Sequence, residues 1–367
     1  MKAKEIIKIM EKLAPSELAE PWDNVGFQIG DLEQEIKKIL VTLDLTDKVV
    51  DEAIEGDIDL IISHHPFIFK PLSNITLGNP KGRIIKKLLI NDISLYVSHT
   101  NMDIADGGLN DMLANKLKLN NIDILTPSQR EKLYKIAVYV PEGHEDDVRA
   151  ALGDAEAGWI GNYSHCTFQT KGIGTFKPRE GADPFIGKVD EIEKVDEYRI
   201  ETIATEDNLP NAINKMIEAH PYEEVAYDIY PLELEGEVAG LGRIGKLKKS
   251  MDYEEFIYIL KDVLSIDTLR KSGVKKEKIK TVGLCTGSGV DFMKYAVKSG
   301  ADVYITGDVK YHEAQMAEEL DILLLDAGHF ATEIIFMEGV KEYLDKEVNE
   351  EVEVLESRVN KDSFKIV

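Results

Sequence analysis

Short apolar runs of four to six residues alternate with amphipathic segments of about ten over most of this chain, a rhythm that constrains the fold more than any other feature. Runs such as Ile39–Leu43, Ile58–Ile62 and Ile93–Val97 are too short for helices and read as buried strands. Asp47–Glu55, Gly82–Ile90 and Gly108–Leu117 carry helical periodicity between them. Strands separated by helices require crossover connections and a largely parallel sheet, so the chain belongs to the α/β class.

The rhythm changes in the middle. Lys135–Val140 reads as a strand, Glu145–Leu152 as a helix, Cys166–Phe176 and Glu197–Ile203 as strands, Leu209–Ala219 as a helix, and Glu224–Tyr230 as a strand ended by Pro231. This order, βαββαβ, is that of a split ferredoxin-like unit. The α/β rhythm then resumes, with strands at Leu241–Lys246, Thr281–Cys285, Val303–Thr306 and Ile322–Leu325. Helices are expected at Tyr253–Leu264, after Gly289 to Ser299, at Tyr311–Glu319 and at Ala331–Tyr343. The expected organisation is two α/β lobes, 1–129 and 236–367, separated by an inserted ferredoxin-like domain, 130–235, with 233–237 as its exit linker.

Chemistry-bearing residues collect where strands end, which is where open α/β sheets bind ligands. Ile58-Asp-Leu-Ile-Ile-Ser-His64-His65-Pro66 puts two imidazoles at one strand terminus, and imidazole is the commonest protein ligand of divalent transition metals. Tyr96-Val-Ser-His99-Thr-Asn-Met-Asp103 repeats the pattern on another strand. Leu323-Leu-Leu-Asp326-Ala-Gly-His329-Phe-Ala-Thr-Glu333 repeats it again, and its His and Glu, four apart, share a helix face. Nitrogen and oxygen donors in this number exceed the needs of one tetrahedral zinc. They suit two divalent metals, Zn, Fe, Mn, Co or Ni.

The metal ligands expected are therefore His64, His65, Asp103, His329 and Glu333. His312, in Gly307-Asp-Val-Lys310-Tyr-His312, is the first candidate for acid–base chemistry and His99 the second. Lys310 is placed to meet substrate charge, and Trp22 and Asn24 to wall the site. His144, His165 and His220 have no carboxylate at ligand spacing and read as structural. Gly283-Leu-Cys-Thr-Gly-Ser-Gly289 lacks the lysine of a phosphate loop and reads as a tight strand–helix turn.

Composition narrows the partners. With 44 Lys and Arg against 68 Asp and Glu, the net charge of −24 disfavours nucleic acid. Two distant cysteines, Cys166 and Cys285, exclude a disulfide framework. No apolar stretch reaches the roughly 18 residues of a membrane span. Residues 1–13 are amphipathic and do not form a signal peptide. A cytoplasmic protein acting on a small molecule is expected.

Five motifs in order, Pro-Trp-Asp-Asn-Val-Gly (21–26), Ser-His-His-Pro (63–66), Ser-His-Thr-Asn-Met-Asp (98–103), Thr-Gly-Asp-Val-Lys-Tyr-His (306–312) and Asp-Ala-Gly-His-Phe-Ala-Thr-Glu (326–333), resemble the GTP cyclohydrolase 1 type 2 homologue family. This is also called the family of NGG-interacting-factor-three-like dinuclear metal proteins. The resemblance implies two similar α/β lobes facing each other across a dinuclear metal cleft. It carries the ligand role to the five residues named above, with Asp103 and Glu333 able to bridge. It likens 130–235 to the PII/CutA-like insert of longer members. It also implies a homohexamer, and hydrolytic ring opening of a nucleotide such as GTP through a metal-bridging hydroxide. The competing reading is a metal-binding regulatory or scaffold hexamer whose insert senses a small metabolite. A DNA-associated role, suggested by the family's older name, meets the opposing charge.

Overall fold

The computed structural model describes residues 1–365. The described residues divide into two compact units. One comprises residues 1–129 together with 239–365, and the other residues 130–238.

The first unit begins with α1 (Ala3–Leu13), whose Ile6, Ile9 and Met10 are buried one turn apart. Then follow β1 (Gly26–Ile29), β2 (Lys38–Thr42), α2 (Asp47–Glu55), β3 (Leu60–Ser63), α3 (Pro80–Ile90), β4 (Ser94–Val97), α4 (Thr100–Ile104) and α5 (Leu109–Lys116). Capping explains several boundaries. The Thr46 hydroxyl accepts from the Val49 N–H to start α2, and the Asn79 side chain accepts from Lys81 N ahead of Pro80 at the first turn of α3. The chain leaves this unit along β5 (Asn120–Pro141).

The second unit continues with α6 (Glu145–Asp154), β6 (Thr167–Phe176), β7 (Glu193–Thr205), α7 (Leu209–Ala219) and β8 (Tyr227–Asp252). Its strands are ordered β6-β7-β5-β8, with β7 antiparallel to both neighbours on which register is resolved. Ile136, Val138, Val140, Val148, Leu152, Ile200 and Met216 form a core of its own. The expected strand end at Pro231 and the linker at 233–237 are not found, because β8 runs unbroken through both. A proline removes only one ladder donor, and Pro231 is exposed, so the strand loses nothing that water does not satisfy.

The first unit resumes with α8 (Tyr253–Leu264), β9 (Arg270–Gly273), β10 (Lys278–Leu284), α9 (Met293–Lys298), β11 (Val303–Thr306), α10 (Tyr311–Glu319), β12 (Leu323–Asp326), α11 (His329–Glu333), α12 (Ile335–Glu347) and β13 (Glu353–Glu356). The helix expected at 331–343 is two helices, with the first turn set apart as α11.

Two sheets organise this unit. One is ordered β1-β4-β3-β2-β13, with β13, β2, β3 and β4 parallel and β1 antiparallel at the edge. In the other, β10, β11 and β12 are parallel, flanked by antiparallel β8 and β9. The edge strands β1, β9 and β13 are absent from the sequence reading because their mixed polarity carries no continuous apolar run. β2, β3, β4, β11 and β12 are buried along nearly their whole lengths, as strands covered on both faces must be.

Arg243 on β8 ties α4 and α5 to the second of these sheets. Its guanidinium donates to both oxygens of Asp111, from Nε and Nη2, each at 2.8 Å, and to the carbonyls of Gly240, Gly242 and Ala105. Both partners are buried. Truncating either leaves an unpaired charge in a low-dielectric interior. Arg243→Ala should therefore lower stability by about 3–5 kcal/mol, read as a fall in the thermal unfolding midpoint, while a double change of Arg243 and Asp111 to Met and Leu should recover much of the loss.

Candidate metal centre

His64 and His65 directly follow β3, His99 and Asp103 follow β4, and His329 and Glu333 lie on α11 just past β12. The parallel pairing of β3 with β4, Ser63 opposite Val97, brings the first two termini side by side. The structure thus places the five expected ligands together, and His99 with them. His65, His329 and Glu333 form one group of donors within 4.8 Å of one another; His64, His65 and His99 form a second, sharing His65.

Each imidazole presents Nε2 to this cluster because its Nδ1 is held elsewhere. His64 Nδ1 meets the Ser98 carbonyl at 2.8 Å, His65 Nδ1 the Asp44 carboxylate at 2.8 Å, His99 Nδ1 the Asp23 carboxylate at 2.9 Å, and His329 Nδ1 the Asp308 carboxylate at 2.7 Å. Such contacts fix the tautomer and raise the basicity of a ligating nitrogen. Asp23 also accepts from the backbone and hydroxyl of Thr100, which starts α4.

On the other side of the rings, His65 Nε2 and His329 Nε2 lie 3.3 Å apart, each 2.9 Å from Glu333 Oε2. His64 Nε2 is buried with no hydrogen-bond partner, 3.9 Å from both Asp103 Oδ1 and Glu333 Oε1. That separation is too long for a hydrogen bond. It matches the span of two donors on a common ion, about 3–4 Å when each stands about 2.0–2.2 Å from it.

Electrostatics point the same way. Burial opposes charge on His65, but bonds to Asp44 and Glu333 outweigh it and lift its pKa to about 10. The contact with Glu333 lifts His329 to about 9. Burial acts the other way on His64 and depresses it to about 3. Burial, with the nearby charge of Glu333, pushes Asp103 well above the usual carboxylate range, whereas His329 and His65 hold Glu333 below it against its own burial. The cluster therefore favours positive charge facing its carboxylates, which a divalent cation supplies. The donor set, the unpartnered His64 nitrogen and the 3.9 Å gaps all fit a metal.

Gly287, in the loop expected as a tight strand–helix turn, adds a second test of fit. Its φ is +60°, and a Cβ there would fall 2.0 Å from Glu333 Oε1. Its N–H bonds the Thr332 hydroxyl at 3.0 Å. The loop is shaped around the Glu333 carboxylate rather than around a phosphate.

The remaining candidates lie as follows. Trp22 packs its ring 6.3 Å from the His99 ring and 6.0 Å from Phe69, with more than half its surface exposed. Asn24 spends its amide on the Ile68 carbonyl. Lys310, at the start of α10, is exposed two residues past Asp308, its nearest carboxylate being Glu313 at 3.9 Å. His312 is exposed on α10 and bonds Gln315. His220, in the second unit, is a satisfied core residue between the Tyr139 carbonyl and the Tyr222 N–H.

Sequence reasoning missed the anchors Asp23, Asp44 and Asp308. Two of the three sit inside motifs already singled out, 21–26 and 306–312. A carboxylate within two or three residues of a strand end was the available signal.

The sequence model of the Duf34/NIF3 (NGG1p interacting factor 3) family matches residues 1–363. The chain belongs to this family. A Bacillus subtilis member described as a GTP cyclohydrolase 1 type 2 homolog is 47% identical over 346 residues, 94% of this chain and 92% of that one. A Halalkalibacterium halodurans protein of the same description is 46% identical over 365 residues, 99% and 98% of the two chains. The crystal structure of a Bacillus cereus protein related to NIF3 superposes with a TM-score of 0.89 at 42% identity, covering 100% of this chain and 99% of that one. No described helix of this family member is long and apolar enough to cross a membrane.

Two outcomes are expected. Asp44→Asn and Asp308→Asn should each weaken metal binding about 10–100-fold, measured by competition against a chromophoric chelator. Gly287→Ala should lose metal by elemental analysis while keeping its far-ultraviolet circular dichroism, since the added methyl displaces Glu333.

Proposed function

We propose that this protein is a hydrolase dependent on two divalent ions held by His64, His65, Asp103, His329 and Glu333. The observation that carries the reading is the convergence of four Nδ1-anchored imidazoles on two carboxylates at adjoining strand ends. Five donors, His64, His65, Asp103, His329 and Glu333, exceed the three protein ligands of one tetrahedral ion with an open position, which favours two ions over one. Bound there, two such ions bring a water to neutral-pH reactivity and polarise the group it attacks.

The chain's own residues supply the rest. Glu333 lies within reach of donors from both groups, at 2.9 Å from His65 and 3.9 Å from His64, and would help hold the ions there. Asp103, whose Oδ1 lies 3.9 Å from the same His64 Nε2, would supply the second carboxylate. The acid–base role falls to His99 rather than His312. The ring of His99 lies 5.2 Å from that of His64, and Asp23 fixes its tautomer, so Nε2 can hold or deliver a proton at the cluster. His312 faces away into Gln315. Trp22 covers the His99 side with an apolar ring, and Lys310 is the cation available to an anionic substrate.

The name borne by the relatives favours ring opening of GTP as the first reaction to try. The second unit we read as an inserted ferredoxin-like domain, on its βαββαβ order and strand sequence β6-β7-β5-β8. In sequence it separates the two lobes 1–129 and 236–367, which on this reading face each other across the metals. Assembly as a ring-shaped homohexamer belongs to the same reading.

Protein purified without added metal should hold about two ions per chain by elemental analysis. It should open GTP or another cyclic amide, lose that activity in chelator, and regain it with one of Zn, Mn, Fe, Co or Ni. His64→Ala should abolish turnover. His99→Gln should cut the maximal rate while retaining both ions. A metal-free, fully folded protein, or an active His64→Ala variant, sinks the mechanism. Light scattering should read about six chains.

A further inference from the structure

The second unit contains a cavity of about 370 Å³ that belongs to none of this chemistry. It lies at the small end of the range for small-molecule sites, about 300–1,000 Å³. Phe176, Phe185 and Tyr222 line it, with rings of the first two 5.9 and 6.3 Å from that of Tyr222. On its floor is Glu197, only 8% exposed.

Glu197 is a carboxylate without a counter-ion. The Tyr222 hydroxyl donates to its Oε1 at 3.1 Å, and no Lys, Arg or His among the described residues ion-pairs with it. The basic side chains nearby are engaged elsewhere: Lys171 with Glu142, Lys177 with Asp190, and Arg199 with Glu201. One hydrogen bond satisfies a fraction of what two carboxylate oxygens accept, which leaves Glu197 capacity to bond a further donor. Burial and the Glu197 charge together also raise the Tyr222 pKa, so its hydroxyl stays a donor. Gly174, across the β6–β7 ladder, leaves the room that Glu197 occupies, since a Cβ there would fall 2.0 Å from Oε2. Both the glycine and the tyrosine thus hold the carboxylate in place rather than neutralise it.

Aromatic faces around an unpaired carboxylate are the recognition chemistry of an organic cation, which gains cation–π attraction from the rings and a charge-assisted bond from the acid. We propose that this cavity is a binding site for an alkyl guanidinium or alkyl ammonium group, seated among Phe176, Phe185 and Tyr222 with its charge on Glu197. Glu223 and Glu224 also line the cavity, against one cation, Lys177, which pairs with Asp190. The site does not rest on the metal chemistry, and it gives a ligand class to an insert that would sense a metabolite.

Isothermal titration calorimetry of the full-length protein at constant ionic strength tests it, with n-butylguanidinium, n-butylammonium and, as the matched anion, n-butyrate. Saturable binding of one cation per chain is expected, with no binding of butyrate. Glu197→Gln should weaken it about tenfold or more, as the charge-assisted bond is lost. Phe185→Ala, at a half-exposed position that the fold does not need, should weaken it several-fold. N-acetyl-arginine amide separates the two sources of this chemistry. Tighter binding than butylguanidinium assigns the site to protein-borne arginine; weaker binding assigns it to a free small molecule. Equal binding of butyrate, unchanged affinity in both variants, or no saturation by either cation would overturn the proposal.

Discussion

Glu333 carries a carboxylate into a space walled by the imidazoles of His64, His65 and His329, and most of the first unit's layout follows from keeping it there. An ionised carboxylate so deeply buried is stable only beside positive charge. Two of the three rings are biased toward supplying it, through pKa values raised to about 10 and about 9. The third, His64, is held neutral by burial and offers a lone pair instead. One carboxylate therefore faces both a charged and an uncharged imidazole environment, the asymmetry expected where protons and metal ions compete for the same donors.

The outer anchors make that arrangement rigid. Asp23, Asp44 and Asp308 each accept a hydrogen bond from an Nδ1–H, and each stands in a loop directly after or before a strand of the two sheets. Asp308 holds a left-handed backbone conformation, φ +55°, to do so. A non-glycine residue in that region is strained unless its surroundings over-determine it. Here the His329 contact on one side and the Val309 and Asp326 interactions on the other supply that determination.

Much of this was legible in the sequence, for identifiable reasons. Fully buried parallel strands announce themselves as apolar runs, so β2, β3, β4, β11 and β12 were readable to within about two residues. The amphipathic helices α2, α7 and α8 were readable to the residue, and so was α10, which fills the space between two apolar strands. The edge strands β1, β9 and β13 were not, because what defines an edge is its partner, and a partner is not written locally. The break between α11 and α12 was hidden by a pattern continuous across it. The candidate ligands stood out as His, Asp and Glu at strand ends. Their aspartate anchors did not, since among 68 acidic residues their one signal was a position within two or three residues of a strand end. The role of Gly287 depends on a contact with a residue 46 positions away and has no local signature at all.

The first sheet is completed by β13, which pairs with β2 across more than three hundred residues of chain. This has a consequence for how the protein is made. When His64, His65 and Asp103 leave the ribosome, the strand that covers β2 and the helix bearing His329 and Glu333 are still unwritten. At synthesis rates of about 5–20 residues per second, the wait lasts on the order of ten seconds or more. Through that interval the nascent chain carries half a donor set and an open sheet edge, while residues 130–238, contiguous in sequence, already hold everything their own core requires. The order of translation thus makes the second unit the first part of the molecule able to finish and the candidate metal cluster among the last.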